Sequence, residues 1–176
     1  MENRHTRNRH CTICQRGFTL LEMLVATLLI TAMIAWLTPS FQALGHNSVL
    51  NSEMSRLRSA FALARHTAIA QRTKVTVCPA NKHLTACTPT WGDALLVIKG
   101  DASEGIAAER IMRVFPGQPA AYTTYSRGWQ RISYNALGHT SGYNGSFDIC
   151  ATREEGKRLV LSQLGRLRVQ STPIGC

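Results

Sequence analysis

The chain runs to 176 residues, 44% hydrophobic and 17% charged, with a formal net charge of +10 and a pI near 9.9. That length excludes a long multidomain array and leaves room for one soluble domain of ordinary size beside a short apolar segment. The positive charge favours anionic partners, among them nucleic acid, lipid headgroups and acidic polysaccharide, without choosing between them.

Residues 1–17 are a basic leader carrying Arg4, Arg7, Arg9 and Arg16 against Glu2, and ending in Gly17. Phe18 opens an apolar run to Leu37 that encloses one carboxylate, Glu22. An acid in a membrane segment costs at least about 2.5 kcal/mol, so Glu22 asks for a functional reason. A secretory signal would pair a short apolar core with a small-residue cleavage site, and Pro39 and Ser40 supply a poor one. An ordinary signal anchor has no use for Glu22. The segment Arg16-Gly17-Phe18-Thr19-Leu20-Leu21-Glu22 resembles the class III signal of type IV prepilins and pseudopilins.

That resemblance implies cleavage between Gly17 and Phe18 by a membrane prepilin peptidase, and methylation of the new N-terminus, Phe18. Glu22 would serve filament assembly by neutralising the terminal amine of a neighbouring pilin. Cleavage would take away a net +3 and leave 159 residues carrying +7. The positive-inside bias places everything beyond Leu37 outside the cytoplasm. The expectation is a bacterial inner-membrane protein, single-pass with a periplasmic domain, that later joins a pilus or pseudopilus. Cys11 and Cys14, with His5 and His10, have a zinc-like spacing. The set is short, lacks a hydrophobic framework and would be cut away, so a solvated leader and no metal site are expected.

From Phe18 to about Gln71 the sequence reads as helix. Residues 18–46 would form its transmembrane or filament-core half, and residues 47–176 the globular domain with the rest of the helix. Pro39 predicts a kink, and Gly45-His46-Asn47 a local unwinding. Leu50, Met54, Leu57, Phe61, Ala64 and Ala68 recur at spacings of three and four, an amphipathic stripe, with Arg56, Arg58, Arg65 and Arg72 largely off it. A helix of this length would extend about 80 Å at 1.5 Å per residue.

After Gln71 the pattern changes to short β-rich runs. They are Lys74–Cys78, Ala94–Ile98, Arg110–Phe115, Tyr122–Tyr125, Arg131–Tyr134, Ser146–Cys150, Arg158–Leu161 and Leu167–Gln170. Turn residues punctuate them, notably Pro116-Gly117 and Ser141-Gly142-Tyr143-Asn144-Gly145. The fold class is therefore α+β: one long N-terminal helix, then an antiparallel β-sheet or sandwich. Cys78, Cys87, Cys150 and Cys176 would lie in an oxidising compartment and allow three pairings. The short C-x8-C loop favours Cys78–Cys87, leaving Cys150–Cys176 to staple the C-terminus.

The later motifs sharpen the resemblance. Ala64-Arg65-His66-Thr67-Ala68-Ile69-Ala70 running into Val75-Thr76-Val77-Cys78-Pro79 looks like the GspH/FimT branch of pseudopilins. So do Trp91 before a strand, Asn135-Ala136-Leu137-Gly138, and Leu161-Ser162-Gln163-Leu164-Gly165-Arg166-Leu167-Arg168. In FimT-type minor pilins a C-terminal G-R-x-R motif binds DNA during uptake for natural transformation. Carried onto Gly165, Arg166 and Arg168, that implies a DNA-binding role here.

The residues point the same way on their own terms. On a strand, Arg166 and Arg168 would project from one face, with Leu167 on the other. Gly165 would allow a tight turn before them. Lys157, Arg158 and Arg153 would join them in one patch if the last two long strands form a hairpin. Planar guanidinium groups bind phosphate bidentately and stay charged. Readout would be of the phosphate backbone, hence sequence-nonspecific and salt-sensitive. Tyr122, Tyr125, Trp129 and Tyr134 are read as β core rather than as base-stacking platforms.

A basic strand is also an ordinary way to protect a sheet edge. The alternative is therefore a GspH-like structural subunit of a type II secretion or type IV pilus filament, without DNA binding. Catalysis and cofactors are not expected: no phosphate-binding glycine loop, H-E-x-x-H or G-x-S-x-G occurs. His46, His66, His83 and His139 are scattered, and Glu154-Glu155 sits in a polar turn.

Overall fold

The computed structural model describes residues 18–103, 105–151 and 155–176, the side chains of residues 36–44 excepted. Thr19 starts the helix. Its hydroxyl accepts the Glu22 N–H at 3.2 Å, satisfying one of the otherwise unpaired first-turn donors, and its carbonyl accepts the Met23 N–H at 3.2 Å as the first bond of the helix. Helix α1 spans Leu20–Ala70, 51 residues, and passes through Pro39. It also passes through Gly45-His46-Asn47, so the expected unwinding does not occur. A glycine there costs only about 1 kcal/mol, less than the propagating helix around it recovers.

The chain parts into two compact units between Phe41 and Gln42. In the first, Phe18, Leu20, Leu21, Leu24, Leu28, Met33 and Ile34 are all exposed, an apolar surface on every side of the helix. Among the described residues no helix is long and apolar enough to cross a membrane.

In the second unit the predicted stripe is the buried one. Leu50, Met54, Leu57, Phe61, Ala64 and Ala68 all face the core. The helix ends in a left-handed cap. Arg72 adopts φ 48°, its N–H reaches the Ile69 carbonyl, and the Thr73 N–H reaches the Ala68 carbonyl.

Two antiparallel sheets follow. The first contains β1 (Val75–Pro79), β2 (Leu95–Lys99), β3 (Ile111–Phe115) and β5 (Ile132–Tyr134), in the order β3-β2-β1-β5. The second contains β4 (Tyr122–Tyr125), β6 (Gly145–Cys150), β7 (Glu155–Leu161) and β8 (Leu167–Val169), in that spatial order. A short β9 (Ile174–Gly175), absent from the sequence reading, pairs with the start of β7. The fold is α+β, as expected.

One core joins helix and sheets: Phe61 of α1 meets Trp91, Tyr134 and Phe147, and Tyr125 stacks on Phe147. A second, smaller cluster covers the other face of the first sheet, where Cys78, Leu96 and Ile98 pack under Ala80, Ala102 and Ile106. This explains why β1 is buried along its whole length instead of alternating.

Both expected disulfides are formed. Cys78–Cys87 has Cα atoms 5.6 Å apart and tethers the loop over the small cluster. Cys150–Cys176 spans 6.0 Å and fixes the C-terminus beside β7.

Arg56 departs from its expected place off the stripe. Its guanidinium bonds Glu53 at 2.7 and 2.6 Å and the carbonyls of Trp91 and Asp93 at 2.8 and 2.7 Å. Glu53, fully buried, also accepts the Thr123 hydroxyl at 2.7 Å. This ion pair ties α1 to the Trp91 loop and to β4.

Candidate nucleic-acid interface

Strands β7 and β8 form the anticipated hairpin, pairing Leu159 with Val169, Val160 with Arg168 and Leu161 with Leu167. Its turn is closed by hydrogen bonds from Gly165 N–H to the Ser162 carbonyl and from Ser162 N–H to the Arg166 carbonyl. The Ser162 hydroxyl takes the Arg166 N–H at 3.1 Å.

Gly165 has φ 74°, and a Cβ there would lie 2.2 Å from the Gly138 carbonyl oxygen and 2.6 Å from Tyr134 Cε1. Only glycine meets both demands. The neighbouring Gly138 turn is braced in its own way: Arg65 donates to the Gly138 carbonyl at 3.2 Å, and Thr140 bonds the Ser162 carbonyl at 3.0 Å. The Tyr134 hydroxyl donates to the Gly165 carbonyl at 3.3 Å, and burial raises its pKa. The arginine-bearing hairpin is thus anchored to the first sheet and to the end of α1.

Arg166 and Arg168 are exposed on the outer face, while Leu167 turns inward and is half-buried. Neither guanidinium has a hydrogen bond or ion pair among the described residues. The register places other groups beside them. Thr124, Asp148 and Arg158 lie in one row across the strands, continued by Gln170, whose N–H bonds the Arg158 carbonyl. Ser146, Val160 and Arg168 make the next row. Arg158, Val160, Ser162, Gln163, Arg168 and Gln170 line part of an open cleft of about 450 Å³.

The expected single patch is smaller than foreseen. Lys157 alternates with Arg158 and falls on the opposite, helix-facing side, where its ammonium donates to the side-chain amide oxygen Oδ1 of Asn51 at 2.7 Å. Arg158 is on the right face but is gripped bidentately by Asp148, at 2.5 and 2.8 Å. That carboxylate pushes the Arg158 pKa up further. Arg153, like Gly17 and the leader's Cys11 and Cys14, lies outside the described residues.

Asp148 was missed because its partner depends on strand register, which no local pattern reveals. Arg127 was missed too: it sits on the turn after β4, its Nε bound to the Asn144 carbonyl at 3.0 Å. The aromatic residues divide. Tyr125 and Tyr134 are core, but Tyr122 and Trp129 are exposed. Glu22 stands exposed in the first turn of α1. Among the described residues no cluster of His, Cys, Asp and Glu has the arrangement of a metal site.

Residues 53–165 match the family model described as type II transport protein GspH. The chain belongs to the GspH family. Residues 13–38 of this GspH-family chain match the prokaryotic N-terminal methylation motif, which takes in Gly17, Phe18 and Glu22. Two crystal structures of the type IV minor pilin FimU of Pseudomonas aeruginosa share the fold, with TM-scores of 0.61 and 0.59 at 21% and 22% identity. They align over 73% and 71% of this chain and 94% and 97% of theirs. The minor pseudopilin EpsH of the Vibrio cholerae type 2 secretion system aligns with a TM-score of 0.46 at 15% identity, over 68% of this chain and 93% of its own. No curated relative matches the sequence. Family and fold together make this a protein of the minor pilin and pseudopilin type.

Proposed function

We propose that the chain is a FimT-like minor pilin that holds extracellular DNA for uptake in natural transformation. The observation that carries this reading is the pair Arg166 and Arg168, exposed side by side on an anchored hairpin with no partner among the described residues. Two guanidinium groups on alternate residues of a strand stand about 6.6 Å apart along the backbone, able to engage separate phosphates of one nucleic-acid strand. No base edge is read, so binding is sequence-nonspecific and falls steeply with salt.

Assembly follows from the other end. A prepilin peptidase cuts between Gly17 and Phe18 at the inner membrane, Phe18 is methylated, and Glu22 meets the amine of the next pilin. The methylation-motif match supports this order, and the apolar exterior of the first helical turns supports burial in a membrane or a filament core.

A second reading has its own support. The family match ends at residue 165, one short of Arg166, so family membership speaks for the scaffold and not for the arginines. On that reading the chain is a structural subunit of a secretion filament. Titrating labelled DNA with the full chain in neutral detergent, at low and moderate salt, separates the two. DNA binding that collapses in Arg166→Gln/Arg168→Gln supports the first. No binding at low salt, or binding indifferent to the double substitution, leaves the second.

A further inference from the structure

The outer face of the second sheet carries more cationic groups than Arg166 and Arg168, and one of them is held in check. Arg158 and Arg168 lie on neighbouring strands, diagonal to each other across the Val160–Arg168 pair. Diagonal neighbours of this kind stand about 7–8 Å apart. Both line the cleft, and they are the charged groups among the residues that line it. The rest of that lining offers hydroxyls and amides beside the apolar Val160 and Leu161, with Gln170 in the same row as Arg158. Two long arginine side chains rising from positions this far apart can converge on a single tetrahedral anion.

Arg158 is not fully available for it. Asp148, on the side away from Arg168, accepts from Nε and Nη2, which leaves Nη1 without a partner among the described residues. Side-chain exposure of 34% for Arg158 and 32% for Asp148 leaves the pair within reach of solvent and of an incoming anion. The carboxylate cancels the charge of Arg158 but takes only two of its five N–H donors.

We propose that the cleft between Arg158 and Arg168 seats one phosphate group of the bound polyanion, and that Asp148 attenuates this seat by neutralising Arg158. The proposal rests on the nucleic-acid reading for the identity of the ligand and on the cleft alone for the location of the seat. A phosphate bound there meets a full charge from Arg168 and a compensated one from Arg158. Such a setting gives a weak, salt-releasable grip, suited to a strand that must pass along rather than stay.

The test compares DNA binding by full-length wild type, Asp148→Asn, Arg158→Gln, the Asp148→Asn/Arg158→Gln pair, and Glu109→Gln. The last makes the same charge change on an exposed turn before β3, outside the cleft. Freeing one cation steepens the dependence of log affinity on log salt by about 0.9, so the gain in Asp148→Asn is about 3.5-fold larger at 50 mM than at 200 mM salt. That gain should exceed any gain in Glu109→Gln and vanish when Arg158→Gln is added. Equal gains in Asp148→Asn and Glu109→Gln, or a gain that survives Arg158→Gln, overturn the attenuation.

Inorganic pyrophosphate reads the seat independently of DNA, through the 15Nε signals of Arg158 and Arg168 in the labelled chain. Joint shifts of both signals support the seat. If they occur in a chain that binds no DNA, the nucleic-acid reading falls and the anion seat stands. If DNA binds through Arg166 and Arg168 while pyrophosphate leaves Arg158 untouched, the seat falls and the reading stands.

Discussion

Replacing Gly165 by alanine tests whether the arginine hairpin is held by its turn. The native residue sits at φ 74°, which costs an L-residue about 1–2 kcal/mol by itself. The added methyl would also lie 2.2 Å from the Gly138 carbonyl oxygen. That oxygen is main chain and is bonded by Arg65. Gly138 cannot yield easily, since its own Cα faces Ile69 Cδ1, 2.7 Å from where a Cβ would stand. Overpacking of this sort adds about 1–3 kcal/mol, for a total of about 2–5 kcal/mol. Urea unfolding of the full chain in neutral detergent, followed by tryptophan fluorescence, measures it. The hairpin should loosen as well, so DNA affinity should fall although both arginines remain. A loss of stability below about 1 kcal/mol would mean that the turn relaxes freely, and the anchoring argument would be refuted.

Further outcomes follow from other parts of the structure. Arg56→Met leaves the buried Glu53 carboxylate with Thr123 as its remaining donor among the described residues, and should cost about 3–5 kcal/mol in the same urea assay. The double variant Glu53→Gln/Arg56→Met should recover part of that loss; an equal or larger loss would deny the pair its special role. Serine replacement of Cys150 and Cys176, whose loop spans 26 residues, should cost about 3.5 kcal/mol on a chain-entropy basis. The Cys78–Cys87 pair, spanning 9, should cost about 2.6 kcal/mol, and a reversed order would show that native-state packing dominates.

Burial pushes the Tyr125 hydroxyl up to about 12, while its O–H donates to the Tyr143 carbonyl. The folded state therefore holds a proton that the unfolded chain releases near pH 10. Stability is whole below pH 10 and declines as pH rises from about 10 towards 12. Melting temperatures across that range should fall less steeply in Tyr125→Phe, with an unchanged slope counting against the assignment.

Much of the architecture was legible because it rests on periodicity. The buried stripe from Leu50 to Ala68 follows the spacing of three and four, and the strands follow alternation and turn residues. What escaped was everything set by pairing between distant segments. The sheet partner of each strand, and hence the meeting of Asp148 with Arg158, depends on register. The burial of Arg56 depends on Glu53 and on two carbonyls 35 and 37 residues away. Short β9 was invisible because its pairing with Glu155 and Gly156 comes with the disulfide rather than with any pattern in Ile174 and Gly175. Of the site, Arg166 and Arg168 were found because alternation alone puts them outside. Lys157 was misplaced because its side depends on which residue of β7 begins the count.

Lys157 and Arg158 are adjacent in the chain and belong to different tasks, one turned towards the helix and one towards the open cleft. Because strand alternation keeps the two ladders separate, the outward residues can change sign, size or affinity while the inward ones keep the subunit foldable. Point substitutions can therefore retune such a surface one residue at a time. An insertion or deletion within β7 has no such licence, because it would exchange the two faces in a single step. Among relatives that share this scaffold, length in this strand should vary far less than the residues on its outer side.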